Sequence, residues 1–269
     1  MVSCCRFLVS TILVALLGGG AAALLAAQER AIQVTKFWRG GGGVTVPTSL
    51  NKPADCVVLL HGLGKSSRSM WWLQQQLSAD YRVINQSYPS LSQPIEQLSE
   101  ATVSAAISQC QGDQYRQIHF VTHSMGGILL RHYLSEHKIE NLGRVVMLGP
   151  PNQGSEVIDH LADVPRVLAL LGPAARQLTT QGAGITHSLG AVNYEVGVIA
   201  GDRSINPLLS RWLPGSDDGK VSIERTKVAG MQDFIVVPVS HPMLMWRPMV
   251  VEQVKHFLAR GQFSALLEG

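Results

Sequence analysis

The residues with chemical reach in this chain are few and far apart. Ser124 stands in Thr122-His123-Ser124-Met125-Gly126-Gly127, directly after a β-branched run and at the opening of a helical stretch. A serine on a tight strand-to-helix turn projects its hydroxyl above the sheet edge, and the strained turn needs small residues two before and two after it. Gly126 meets that need, while Thr122 fills more space than the glycine expected there. A helix opening at Ser124 also aims its N-terminal dipole at developing negative charge. The competing reading of such a serine is a plain helix cap, for which Ser is well suited.

The rest of the chain weighs against a plain cap. His61-Gly62-Leu63-Gly64 follows the first apolar run, so a glycine-rich turn stands at the same edge. Glycines let a backbone N–H turn inwards, and an oxyanion needs two such donors. The candidates are the amides of Leu63 and of Met125, the residue after the nucleophile. A base is offered by His241, in Val239-Ser240-His241-Pro242, after the run at 233–239; His187 and His256 are poorer rivals. Three aspartates could orient it: Asp218, its neighbour Asp217, and Asp202 after the run at 195–200. An aspartate left out of that role is a turn former, the ordinary reason for Asp beside Gly.

These residues need a scaffold with one shared edge. Apolar runs at 56–60, 81–85, 117–122, 144–148, 195–200 and 233–239 read as strands buried on both faces, as in parallel sheets. Helical stretches lie between them at 68–79, 94–109, 124–137 and 248–260. The alternation predicts a doubly wound α/β fold, mainly parallel, with ligands bound at the carboxyl ends of the strands. The stretch 151–193 breaks the alternation with helically spaced apolar residues and reads as a small helical cap insertion.

Taken together, the motifs resemble the α/β-hydrolase superfamily, in particular its bacterial lipases and esterases. The resemblance rests on His61-Gly62-Leu63-Gly64, on His123-Ser124-Met125-Gly126-Gly127, on Gly149-Pro150-Pro151-Asn152-Gln153-Gly154-Ser155, on Asp218-Gly219-Lys220-Val221 and on His241. It spans roughly 53–260 in the right order; Thr122 is the departure. It implies an ester hydrolase with Ser124 as nucleophile, His241 as base and Asp218 as acid, because similar lipases carry their aspartate in an Asp-Gly-x-Val turn. Thioesterase, amidase or acyltransferase chemistry is open to the same triad, and a non-catalytic binding protein is open to the same fold. The resemblance also sets Cys56 and Cys110 near one edge of the sheet, where they could pair if their Cα atoms lie within about 7 Å.

Other chemistries find no support. Gly64-Lys65-Ser66 suggests a phosphate loop, but the first glycine of that motif would fall on Leu59. No H-E-x-x-H or paired Cys–His pattern calls for a metal, and a serine triad needs no cofactor. With 46% hydrophobic and 15% charged residues, a net charge of +3 and no basic run, the chain reads as globular rather than as a nucleic-acid binder. An apolar run at 7–27 follows Arg6, and residues 1–27 read as an export signal or as an N-terminal membrane anchor. A glycine-bearing linker at 28–52 follows, and the hydrolase domain is expected over 53–262. The expected location is exported or tethered to the cell membrane.

Overall fold

A computed structural model describes residues 55–111, 115–162, 164–182 and 184–265; the expected leader and linker lie outside the described residues. Six strands form one sheet: β1 (Cys56–Leu60), β2 (Arg82–Gln86), β3 (Ile118–His123), β4 (Leu142–Leu148), β5 (Val196–Gly201) and β6 (Asp233–Val237). Every neighbouring pair is parallel, in the order β2-β1-β3-β4-β5-β6. Each expected run carries a strand. β6 stops two residues short of the apolar run because Val239 N turns back to donate to Val237 O.

Helices connect the strands: α1 (Trp71–Leu77), α2 (Ile95–Gln111), α3 (Met125–Glu136), α4 (Glu156–Ala162), α5 (Pro165–Arg176), α6 (Pro207–Ser210), α7 (Ile223–Thr226) and α8 (Pro248–Arg260). The segment expected to form a cap carries α4, α5 and a 3-10 turn, Ile185–His187. α5 kinks at Gly172, whose φ of 80° sits just before Pro173. A side chain at Gly172 would stand 1.9 Å from Leu91 O, so the kink lets α5 lie against the loop after β2.

One face of the sheet packs on α1 and α8. Val57, Leu59, Val121, Val146, Leu148, Ile199 and Val237 share a buried cluster there with Leu73, Leu77, Val254 and Phe257. The period of two along each strand puts every second residue on this side. α2 and α3 pack together, and α2 also lies against β1 and β2. Cys56, at the start of β1, is joined to Cys110, near the end of α2, by a disulfide with a Cα separation of 5.9 Å. Both cysteines are buried. Among the described residues no helix is long and apolar enough to cross a membrane.

The strand order reverses between β1 and β3. In such sheets that switch point opens a crevice beyond the carboxyl ends of the strands, the usual binding place of the fold. The Gly62 turn and Ser124 both leave the sheet there.

Candidate active site

Ser124 joins β3 to α3 in one residue. Its φ of 54° and ψ of −126° make it the only non-glycine residue with positive φ among those described. Such a conformation costs on the order of 1–3 kcal/mol in an L residue and persists only where the surroundings enforce it. Here they do. Ser124 N donates to Leu148 O at 2.9 Å, and Gly127 N donates to Ser124 O at 3.0 Å. The first turn of α3 presses on the end of β1, so that a side chain at Gly126 would meet Leu60 O at 2.5 Å. Thr122 is tolerated for a local reason. Its hydroxyl lies where a side chain at residue 127 would come within 3.2 Å, and residue 127 is glycine.

The Gly62 turn faces this elbow. A side chain at Gly62 would come within 3.0 Å of Ser124 Cβ and of His123 Nδ1. Gly64 N donates to Ser90 Oγ at 3.0 Å and Lys65 N to Gly62 O at 3.2 Å, which pins the turn on either side of Leu63. Met125 opens α3, where first-turn amides have no acceptor within the helix. His61 is fully buried beneath the turn. Tyr88 N donates to His61 Nε2 at 3.2 Å, so the ring proton belongs on Nδ1, which donates to Gly62 O at 2.9 Å. The Tyr88 ring stacks on it at 3.9 Å, and Tyr88 OH donates to His61 O. Burial pulls the His61 pKa down to about 4, against a smaller upward pull from the Gly62 carbonyl. A second proton would also set N–H against N–H at Tyr88. This imidazole is a neutral strut.

After β6, His241 Nδ1 donates to Asp218 Oδ2 at 2.7 Å with both side chains buried. His241 N donates to Asp218 O at 2.9 Å, so the two residues are tied twice. Asp218 Oδ1 accepts from Lys220 N at 3.0 Å and from Val221 N at 2.9 Å. The carboxylate is therefore engaged on both oxygens and locked in direction. With its proton on Nδ1, the His241 ring keeps Nε2 as the acceptor. Gly149, at the end of β4, lies behind the pair: a side chain there would crowd Asp218 Oδ2 and His241 Nδ1 to 3.0 Å each.

His123 joins the two sides. Its Nε2 donates to His241 O at 3.1 Å and its ring lies 4.7 Å from the His241 ring. Burial first, then the nearby His241, holds its pKa well below the usual histidine value. Lys220, beside Asp218, is lowered to about 8, mainly by burial, next by the Lys65 charge and against the pull of Asp218.

The other aspartates bond elsewhere than His241. Asp217 Oδ1 accepts from Ser210 Oγ and from Gly219 N, which closes the loop that presents Asp218. Asp202 lies beside Arg203, 3.5 Å away. His187 bonds Thr180 O, and His256 bonds Gln262 O. The contribution of Tyr88 and Ser90 went unseen in the sequence; their place just past a parallel strand was the available signal.

A model of the alpha/beta hydrolase family matches residues 57–261. The chain belongs to that family. No match was found among curated proteins. Solved structures share this hydrolase fold at low identity. The mature lipase BlEst2 of Bacillus licheniformis is 18% identical with a TM-score of 0.63, over 80% of this chain and 96% of that one. In its propeptide form the match covers 82% of this chain but only 53% of that one. A lipase-esterase related protein of Clostridium acetobutylicum is 14% identical with a TM-score of 0.53, over 77% and 95% of the two chains. A Pyrococcus furiosus esterase is 18% identical with a TM-score of 0.52, over 77% and 82%. At these identities the likeness is one of fold.

Proposed function

We propose that this alpha/beta hydrolase cleaves carboxylic esters through an acyl-enzyme on Ser124. The observation that carries the reading is the strained Ser124 elbow, whose neighbour His123 bonds the backbone of a buried, doubly tied His241–Asp218 pair. In the reaction, His241 Nε2 takes the hydroxyl proton as Ser124 Oγ bonds to the ester carbonyl carbon. The amides of Leu63 and Met125 hold the oxyanion that forms. The bond to the alcohol breaks, and the imidazolium returns its proton to the leaving alkoxide. Water, activated in the same way, then attacks the acyl carbon and frees the acid and Ser124. Asp218 holds the imidazole tautomer and stabilises its cation.

An apolar acyl group is part of the same reading; its support is the apolar character of the segment 151–193, which carries Val157, Ile158, Leu161, Val167, Leu168 and Leu171. An exported or membrane-tethered location is part of the same proposal. Its support is the Cys56–Cys110 disulfide, of a kind that persists in oxidising compartments, together with the apolar run at 7–27.

The test is hydrolysis of p-nitrophenyl esters from acetyl to palmitoyl by the full chain and by its Ser124→Ala form. Activity that vanishes in Ser124→Ala is the expected result, and the preferred chain length then separates esterase from lipase. Activity equal in the two forms would sink the proposal. Turnover confined to thioesters or amides would keep the serine and change the substrate.

A further inference from the structure

A second polar cavity lies apart from Ser124, His241 and Asp218. It has a volume of about 310 Å³ and is lined by Arg131, Asn152, Thr186, Arg225 and Lys227 among others. Its walls are stitched together. Gln153 Nε2 donates to Glu224 O and Lys227 O, and Asn152 Nδ2 donates to Thr226 O at 2.8 Å. The segment after β4 and the turn around α7 thus form one rigid rim.

Arg131, on α3, is 4% exposed. Its Nη1 donates to Asn152 O at 2.8 Å and to Asn152 Oδ1 at 3.2 Å, and its Nη2 donates to Gly190 O at 2.8 Å. All three acceptors are neutral. Among the described residues no carboxylate lies within ion-pair distance of this guanidinium. Its Nε is buried without a partner, and so is the hydroxyl of Thr186 in the same wall. A buried charge without a counter-ion is costly, and an arginine fork matches the oxygens of carboxylates and phosphates. Two more cations stand at the rim. Arg225 pairs with Glu156 at 3.0 Å and Lys227 with Glu224 at 2.7 Å, so each of them already has a carboxylate while Arg131 has none.

We propose that this cavity binds an oxyanion, the carboxylate or phosphate group of a small molecule, with Arg131 as its counter-charge and Thr186 as a hydroxyl donor. The inference is independent of the ester chemistry. Its volume lies at the lower end of small-ligand pockets. Asn152, which holds Arg131, lies three residues after Gly149, the residue packed behind His241 and Asp218.

The test is calorimetric titration of the full chain with inorganic phosphate and, separately, with acetate at low salt. Saturable binding of either is expected, weakened about fivefold or more by Thr186→Val or by Lys227→Met. Binding of phosphate alone assigns a phosphate-bearing ligand, of acetate alone a carboxylate, and of both an oxyanion of either kind. Arg131→Met should abolish it, but that change also removes three structural hydrogen bonds. The two milder variants leave those bonds in place and carry the decision. No saturable binding of either anion, or binding that neither Thr186→Val nor Lys227→Met changes, overturns the proposal.

Discussion

On the β1 and β3 side, the hydrolase site is made of backbone; on the β5 and β6 side, it is made of side chains. The first half rests on Ser124 at positive φ and on glycines at 62 and 126, where a side chain would strike the neighbouring chain. The second half rests on hydrogen bonds between residues 23 apart, with every oxygen of the Asp218 carboxylate engaged. A backbone-built half breaks on changes of size, and changes of polarity reach it through the His61 strut beneath its turn. A side-chain-built half breaks first on changes of polarity. It can lose its chemistry while the fold stands.

The largest expected effect tests that contrast directly. Asp218→Asn keeps an oxygen for the Lys220 and Val221 amides but sets an amide where His241 needs an acceptor. Under the proposed function, turnover should fall by about 10⁴-fold, the scale seen when a Ser-His-Asp triad suffers this change. The melting temperature should move little. Asp217→Asn and Asp202→Asn should retain most activity, because neither carboxylate bonds His241. Kinetics and melting curves on the three variants check this. An Asp202→Asn enzyme as dead as Asp218→Asn would break the comparison.

The second effect lies under the glycine turn. The His61 pKa is lowered from the ordinary 6.5 to about 4, so below pH 6.5 the unfolded chain binds the proton more readily. Stability present at pH 7 is therefore lost as pH falls from about 6.5 towards 4, by on the order of 3 kcal/mol from this group. His61→Gln, which can still donate and accept, should flatten that slope in urea unfolding measured from pH 7 to pH 4.5. An unchanged slope would show that His61 is not the neutral strut described here.

The same contrast explains what the sequence revealed. Glycines at fixed spacing and a serine between strand and helix are local signals, and the six buried runs are local too. Hence the parallel sheet and the elbow were legible, and so was the position of His241 past the last strand. The aspartates were not. Asp202, Asp217 and Asp218 all sit beside turns, and only the folded chain shows that Asp218 alone bonds His241. Resemblance to lipases favours Asp218; spacing alone does not. The Tyr88 stack and the counter-charge-free Arg131 were invisible because their meaning depends on residues 27 and 59 positions away.

The third prediction concerns the link between the halves. His123 holds the His241 carbonyl from the residue next to Ser124, so it acts by position. His123→Phe fills the space without the donor and should lower kcat by about tenfold to a hundredfold with little change in KM. His123→Gln restores an N–H at similar reach and should recover most of the loss. A packing role alone would give the opposite order, with Phe better than Gln.

The smallest effect is a gain. Ser124 carries backbone strain that an alanine would carry equally, since both have a Cβ. Glycine adopts φ of 54° and ψ of −126° without that strain. Ser124→Gly should therefore be more stable than Ser124→Ala, by about 1 kcal/mol after allowing for the extra freedom of glycine in the unfolded chain. Both variants should be inactive, so the difference isolates the geometry from the chemistry. Urea unfolding of the two proteins reads it. Equal stabilities, or a stabler alanine form, would mean that the elbow is relaxed and that the β3 side owes less to backbone strain than its dihedral angles imply.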